Sequence, residues 1–185
     1  MNRCKWVNLK NPKYIEYHDN EWGIPTYDDR LLFEMLLLES FQAGLSWECI
    51  LNKREEFRSA FDNFNPYLIS KYDNKKIEEL LNNSKIIRSR GKIEASINNA
   101  KIFLDIKEEY GTFSNYIWHF TNGKIIKNTS NIINTTSSLS DTISNDLRKR
   151  GMKYTGATII YSYLQAIGIV DDHELECFKY NSNNK

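Results

Sequence analysis

Long apolar runs, cysteines and an excess of charge of either sign are all scarce in this sequence. Its most apolar stretch is LLFEMLLLES, which contains Glu34 and Glu39 and is shorter than the roughly 20 apolar residues that a membrane-spanning helix needs. No apolar segment follows the basic residues near the N-terminus, so we do not expect a secretory signal. The sequence therefore predicts a cytoplasmic protein without a membrane partner.

The three cysteines and the net charge of +1 exclude two further classes of protein. Three cysteines in an intracellular chain do not make a disulfide framework, which leaves metal binding or burial as their roles. A net charge near zero excludes a surface coated in basic groups, but it is compatible with a local basic face that binds nucleic acid. The 185 residues are enough for one domain with its own core.

Apolar residues recur every three or four positions and strand-like alternation is scarce, so we predict an all-α fold. A polar segment at about 122–138 is predicted to be a loop between two helical halves of a single domain, residues 1–185, which flank a central cleft. The predicted helices run from Asp28 or Asp29 to about Glu39, from Ser46 to about Phe61, from Asp73 over DNKKIEELL, from about Gly91 to Glu109, over SNYIWHF, through SDTISNDLRKR to Gly151, and over ATIIYSYLQAI to Gly168.

Cysteine and histidine occur together near both ends of the chain. Cys4 and His18 lie near the N-terminus, and His173 and Cys177 form an H-x-x-x-C pattern that shares one face if the segment is helical. Two thiolates and two imidazoles suit the closed tetrahedral site of a structural zinc, which would fasten both chain ends. The spacing from Cys4 to His18 is longer than in zinc fingers, so isolated thiols and locally bonded histidines remain the alternative.

The third cysteine and the third histidine carry weaker signals. Cys49 lies within the apolar segment WECIL and is predicted to be buried. His119 lies between two aromatic residues, which predicts an ordinary core or surface histidine.

Aromatic and acidic residues are densest in YIEYHDNEWGIP, residues 14–25, and LESFQAGLSW, residues 38–47. A pocket for a flipped nucleobase needs flat apolar walls and a few polar groups that read the base edge. A cationic base is favoured further by aromatic faces and a nearby carboxylate, and Glu39 is the best candidate because it follows an apolar helix. The alternative is an aromatic core in which Glu39 forms a salt bridge with Arg54 or Arg58.

Two glycines, Gly151 and Gly156, lie between two predicted helices in the segment LRKRGMKYTGATIIY, residues 147–161. The free N–H groups of the hairpin and of the second helix can hold an anion, and Arg150 and Lys153 add positive charge beside Gly151 and Gly156. A second basic run, residues 85–92, could line the same face. A glycine that only caps a helix, with solvated basic residues, is the alternative.

Taken in order, these segments resemble the 3-methyladenine DNA glycosylase I family over nearly the whole chain. The matching motifs are R-C-x-W at 3–6, Y-H-D-x-E-W-G-x-P at 17–25, L-E-x-x-Q-A-G-L-S-W at 38–47, I-I-R-x-R-x-K-I at 86–93, G-x-K-x-x-G at 151–156 and D-H-x-x-x-C at 172–177. The chain departs from the family at Lys5, often glycine there, and in the hairpin at Met152, Tyr154 and Thr155.

The resemblance implies a helix-hairpin-helix glycosylase fold and a monofunctional enzyme that hydrolyses the N-glycosidic bond of 3-methyladenine in alkylated double-stranded DNA. We expect a monomer that performs the first step of base excision repair. The resemblance implies a zinc ion bound by Cys4, His18, His173 and Cys177. It implies that the extruded base contacts Glu39, Tyr17 and Trp47, with Trp22 and Trp6 at the pocket. It also implies that DNA is contacted by Arg150, Gly151, Lys153 and Gly156. We expect Tyr17 and Trp47 to sandwich the base while Glu39 orients its edge.

Related helix-hairpin-helix glycosylases use an aspartate in a V-D-x-H string as the essential carboxylate, and Asp171 occupies that position here. The resembled family is understood to work without it, so we expect Asp171 to support the turn that contains His173. Two rival functions remain: a non-catalytic DNA-binding module would not need Glu39, and a zinc hydrolase of small molecules would need an open metal position.

Overall fold

The computed structural model describes residues 1–129, 132 and 134–180, and over these residues it contains ten α-helices, one 3-10 turn and two very short strands. The helices are α1 (Pro12–Asn20), α2 (Asp29–Gln42), α3 (Trp47–Asn52), α4 (Arg54–Ala60), α5 (Pro66–Ile69), α6 (Asn74–Asn82), α7 (Arg90–Tyr110), α8 (Phe113–His119), α9 (Ser138–Lys149) and α10 (Ala157–Ala166). The mostly helical prediction is confirmed.

Most helix starts coincide with the capping residues that the sequence offers. The side chain of Asp28 accepts a hydrogen bond from the N–H of Leu31, and that of Ser46 accepts one from Cys49, as N-caps do. The helix predicted from Ser46 to about Phe61 is instead two helices that meet at Lys53. Helix α1 was not predicted, because only Tyr17 and His18 of its nine residues are buried and it lacks an apolar stripe.

Helix α2 is the centre of the molecule. Residues 32–41 are all buried, and the helix packs against α3, α7, α8 and α10. A helix surrounded on all sides must satisfy any polar group that it contains. Glu34 does so by accepting from Arg54 at 2.6 Å and Arg58 at 2.7 Å.

The segment predicted as a loop, about 122–138, contains a short strand β1 (Ile126–Lys127) that pairs in parallel with β2 (Val170–Asp171). Two-residue strands leave no alternation for a sequence pattern to detect, so they were not predicted. Residues 130, 131 and 133 of this segment, and 181–185 of the predicted domain, lie outside the described residues. The pairing ties the segment to the chain that leads into the C-terminal histidine.

Two glycines permit a close approach between the N-terminal and C-terminal parts of the chain. A Cβ on Gly168, whose φ is +76°, would lie 2.3 Å from the carbonyl carbon of Ile24. A Cβ on Gly23 would lie 2.5 Å from the His173 ring. These contacts require glycine at both positions and bring both chain ends together. In the described part of the chain, no helix is long and apolar enough to cross a membrane.

Candidate functional site

Glu39, in the last turn of α2, is a buried carboxylate that lacks a full set of partners. It is 3% exposed, and its Oε2 atom has no hydrogen-bond partner within the described residues. Burial raises the pKa of Glu39 to about 8, because the charged form loses its hydration. An incompletely paired buried carboxylate is costly, and it fits a site that receives a ligand with donor groups or positive charge.

Tyr17 of α1 and Trp47 of α3 lie beside each other, with ring centroids 5.2 Å apart and planes inclined at 46°. The Nε1 atom of Trp47 is buried without an acceptor in the described part of the chain. The pKa of Tyr17 is raised well above its usual value, first by burial and then by the charge of Glu39, which places the carboxylate near the ring. An unpaired acceptor and an unpaired donor therefore border one aromatic pair.

The gap between these two rings is too small for the predicted sandwich. A base between two rings needs a separation of about 7 Å, twice the carbon–carbon contact distance of about 3.5 Å. Tyr17 is buried, whereas Trp47 is half-buried at the start of α3. A base could therefore enter between the two rings only if the Trp47 ring moved.

The alternative role for Glu39, a salt bridge to Arg54 or Arg58, is wrong. Both arginines bond to Glu34 instead, one turn earlier in α2, and Arg54 also binds Glu21 at 2.6 Å. The ion network therefore occupies the other side of α2 and leaves the carboxylate of Glu39 for another partner.

Trp6 and Trp22 have ring contacts with the histidines of the metal cluster region, His18 and His173. Their rings are 4.9 Å apart, and Trp22 is 4.6 Å from the His173 ring. Both tryptophans line a cleft of about 700 Å³ that does not include Tyr17, Glu39 or Trp47 in its lining. Trp6 also contacts Tyr14 in the first turn of α1, with 5.4 Å between the ring centroids.

Cys4, His18 and Cys177 form a cluster that could hold a metal ion. Their ligand atoms all lie within 4.8 Å of one another, and all three residues are buried. The Nδ1 atom of His18 bonds to Asp19 at 2.8 Å, which leaves Nε2 directed at the Cys177 sulfur at 3.4 Å. A carboxylate behind a histidine is the usual support of a metal ligand.

His173 adjoins this cluster, with its ring centroid 5.5 Å from that of His18. Its Nδ1 atom bonds to Asp171 at 2.8 Å, whereas its buried Nε2 atom has no partner among the described residues. The segment from His173 to Cys177 is not helical, so the predicted shared helix face is wrong, and His173 lies outside the group of three residues whose ligand atoms are within 4.8 Å of one another. The contact of Asp171 with His173 favours the supporting role expected for this aspartate.

Cys49 and His119 stand apart from the cluster. Cys49 is only half-buried, so the predicted burial is wrong, because α3 turns that side chain away from the core. His119 is an exposed histidine that stacks on Tyr110, at 5.5 Å between centroids.

The predicted hairpin, residues 151–156, joins α9 to α10. Gly151 has φ of +98°, and Gly156 is the residue before the first turn of α10. Lys153 is exposed there. Arg150 is held by Glu109 and Asp146, at 2.5 and 2.8 Å, so its guanidinium is already paired.

The second basic run does not face one way. Arg88 and Arg90 are exposed, and Arg90 pairs with Glu78. Lys92 turns inward, and its ammonium donates to the carbonyls of Phe41 and Ala43 at 2.8 and 2.6 Å. Sequence reasoning missed this residue, because a lysine in a basic run is most often solvated.

A family model described as methyladenine glycosylase matches residues 6–180. The chain belongs to the methyladenine glycosylase family. Among curated members, the DNA-3-methyladenine glycosylase 1 of Escherichia coli (strain K12) is 44% identical over 186 residues, which cover 99% of each chain. The DNA-3-methyladenine glycosylase of Haemophilus influenzae is 42% identical over 178 residues, 95% of this chain and 96% of the relative.

Solved structures agree with this membership of the methyladenine glycosylase family. A crystal structure of 3-methyladenine DNA glycosylase I has a TM-score of 0.92 and 44% identity, covering 96% of this chain and 98% of the other. The Staphylococcus aureus 3-methyladenine DNA glycosylase I, described for its recognition of 3-methyladenine, has a TM-score of 0.92 and 36% identity, covering 97% of both chains.

Proposed function

We propose that the protein is a monofunctional DNA-3-methyladenine glycosylase, which hydrolyses the N-glycosidic bond of 3-methyladenine in alkylated double-stranded DNA and so begins base excision repair. The observation that carries the proposal is the buried Oε2 atom of Glu39 beside the Tyr17–Trp47 pair, which has no hydrogen-bond partner in the part of the chain that the structure describes. The relatives named above, at 42% and 44% identity over nearly the whole chain, support the same activity.

Methylation at N3 makes adenine cationic, so the base is already a good leaving group and needs little general acid catalysis. The barrier lies in the positive charge that develops on the sugar, and preorganised negative groups lower it. In the proposal, Glu39 accepts hydrogen bonds from the base edge, and the positive charge of the base offsets the cost of ionising the buried carboxylate.

The aromatic pair binds the base once Trp47 has moved outward by roughly 2 Å, the difference between the 5.2 Å separation and the spacing needed for two stacking contacts. Trp47 Nε1 and Glu39 Oε2, a donor and an acceptor that have no hydrogen-bond partner over the described residues, then face the base. Trp6 and Trp22 are proposed to lie at the pocket, and Trp6 adjoins Tyr14 of α1. Water attacks C1′ and leaves an abasic site.

Zinc is the proposed metal, held by Cys4, His18, His173 and Cys177. Two sulfurs and one imidazole nitrogen form the cluster, and the Nε2 atom of the adjoining His173 has no hydrogen-bond partner within the described ranges. Together they supply the donor set of a closed tetrahedral site. Four protein ligands leave no position for a substrate or water, so the ion would supply stability and no chemistry. This argues against a zinc hydrolase.

The hairpin is the proposed DNA contact. Gly151 and Lys153 lie in the hairpin that leads into α10, and Gly156 is the N-cap of that helix, where free backbone N–H groups and the helix dipole favour a phosphate. Such contacts do not depend on base sequence, as a search for rare lesions requires. Arg150 contributes charge to this region although it is paired within the protein. The proposed acting form is a monomer.

The test is release of free base from methylated duplex DNA under single-turnover conditions. We expect the parent to release 3-methyladenine, and Glu39→Gln to be slower by about a hundredfold, a typical loss for one preorganised polar group. Glu16→Gln, which alters an exposed glutamate on α1, is the matched control and should behave as the parent.

The rival functions predict other results. A DNA-binding module would bind duplex DNA and release no base, with or without Glu39. A bifunctional enzyme would be trapped on DNA as a covalent adduct by borohydride, which we do not expect here.

A further inference from the structure

The backbone of the hairpin is held by side chains from three different helices. Asn99 of α7 donates from Nδ2 to the Lys153 carbonyl at 2.8 Å and accepts at Oδ1 from the Lys153 N–H at 2.9 Å. Ser144 of α9 donates to the Thr155 carbonyl at 2.7 Å. The hydroxyl of Ser40 in α2 lies 3.2 Å from the Tyr154 carbonyl, and 2.8 Å from its other acceptor, Leu36.

These bonds draw three consecutive carbonyls, those of residues 153–155, towards the body of the protein. In a trans peptide the C=O and the following N–H point in opposite directions. The N–H groups of Tyr154 and Gly156 therefore point away from the anchoring side chains, while Thr155 between them is buried, at 1% exposure. Within the described residues, neither the Tyr154 N–H nor the Gly156 N–H has an acceptor. Outward N–H groups of a turn form a binding site for an anion.

Asn99 is the strongest of the three anchors and the least expected in its position. It is 0% exposed, in a helix whose neighbouring buried positions include Ile93, Ala100 and Phe103. A buried amide is costly unless its donor and acceptor atoms are bonded. Both of its backbone bonds go to Lys153, so this hairpin conformation satisfies the donor and the acceptor of the buried amide.

The hairpin also contains a residue that is strained without support. Tyr154 has φ of +56°, in the left-handed region that a side chain with a Cβ rarely adopts. Such a conformation is strained and persists where the surroundings over-determine it. The anchored carbonyls on both sides of Tyr154 supply that constraint.

We propose that Asn99, assisted by Ser40 and Ser144, is a positioning residue that turns the hairpin N–H groups outward for a DNA phosphate. This inference rests on the proposed function, since it assigns the hairpin to DNA binding. Ser40 directly follows Glu39 in α2, so the same anchors fix the hairpin relative to the base pocket.

The experiment separates binding of DNA from binding of the base. The variants are Asn99→Leu, which keeps a buried side chain of similar size, and Asn99→Ala. Ser96→Ala is the matched control, because Ser96 is buried on the same helix and bonds only to the Lys92 carbonyl of that helix. The measurements are the Kd for undamaged duplex DNA at several salt concentrations, the Kd for free 3-methyladenine by tryptophan fluorescence, and base release.

For both Asn99 variants we expect DNA binding weaker by about tenfold, with the Kd for the free base within about twofold of the parent. The slope of log Kd against log salt concentration should fall by about one unit, which corresponds to the loss of one phosphate contact. Ser96→Ala should leave both Kd values unchanged. Ser40→Ala and Ser144→Ala should weaken DNA binding to a smaller extent.

Two results would overturn the inference: unchanged DNA binding in Asn99→Leu, or an equal loss of DNA and free-base binding, which a purely structural role would give. Should both Asn99 variants fail to fold, Ser144→Ala decides by the same criteria. If the unmodified protein binds DNA but releases no base, the proposed function alone is contradicted. The DNA-binding measurements would then still test the role of Asn99, Ser40 and Ser144.

Discussion

At the scale of single residues, helix α2 contains two buried glutamates in opposite situations. Glu34 receives two arginines and is fully buried at 0% exposure. Glu39 is buried to a similar extent, but no cation lies within ion-pair distance of it in the part of the chain that the structure describes. Paired charge stabilises the fold, whereas the unpaired carboxylate costs stability and is retained where a ligand needs it.

Glu39→Gln should therefore change the pH dependence of stability. The folded pKa of about 8 lies above the ordinary value of 4.5, so the folded protein holds a proton that the unfolded chain has lost, and stability falls as the pH rises from about 5 to 8. We expect Glu39→Gln to remove this decline, so that its stability relative to the parent rises by about 3 kcal/mol between pH 5.5 and pH 8, on a scale of 1.36 kcal/mol per pKa unit.

Urea unfolding of both proteins at pH 5.5 and pH 8 measures this difference. The Glu16→Gln variant should follow the parent at both values, since Glu16 is exposed. Parallel pH profiles for the parent and Glu39→Gln would show that Glu39 is ionised in the free protein.

At the scale of secondary structure elements, a lysine at the start of α7 binds the C-terminal end of α2. Lys92 lies in the first turn of α7, where a cation is disfavoured by the helix dipole. Its ammonium instead caps the C-terminal end of α2, where a cation is favoured, and bonds to the carbonyls of Phe41 and Ala43. This contact fixes the turn that separates Glu39 from Trp47.

Lys92→Met should loosen that turn while leaving most of the fold intact. We expect a loss of about 1–2 kcal/mol of stability, from two hydrogen bonds to a charged donor. We also expect weaker binding of free 3-methyladenine, because the spacing of Glu39 and Trp47 is no longer fixed. Fluorescence titration and urea unfolding test both effects, with Lys101→Met as the control on an exposed position of α7. Equal base affinity in Lys92→Met and the parent would contradict the argument.

At the scale of the whole molecule, the candidate metal cluster joins residues that are more than 150 positions apart, such as His18 and Cys177. The close packing of Gly23 on His173 and of Gly168 on Ile24 brings the same two regions together. A bound ion here would fasten the chain ends, which fray most readily in other proteins.

We expect one zinc per purified chain and a melting temperature that falls by more than about 5 °C on chelation, since loss of a structural metal removes binding free energy from folding. Elemental analysis and thermal melting measure this. His173→Ala should lower the zinc content, and Cys49→Ser should leave it unchanged, because Cys49 lies outside the cluster. An unchanged melting temperature after verified loss of metal would argue against a structural ion.

The sequence by itself determined what depends on neighbours along the chain. Capping residues and apolar spacing predicted α2, the long α7 and the two helices around Gly151, because helices are set by contacts three and four residues apart. The ordered motifs identified the family. Helix α1 and the two-residue strands were not predicted from the sequence, because each is stabilised by distant parts of the chain rather than by its own residue pattern.

Only the tertiary structure decided which groups meet. It paired Glu34 with the arginines, and among the described residues it left Glu39 without a cation. It also turned Lys92 inward, placed Asp171 behind His173, and set Trp6 and Trp22 beside His18 and His173. These outcomes join residues from separate helices, and the energies of burial, ion pairing and hydrogen bonding that select them depend on distances in space, which no spacing along the chain contains.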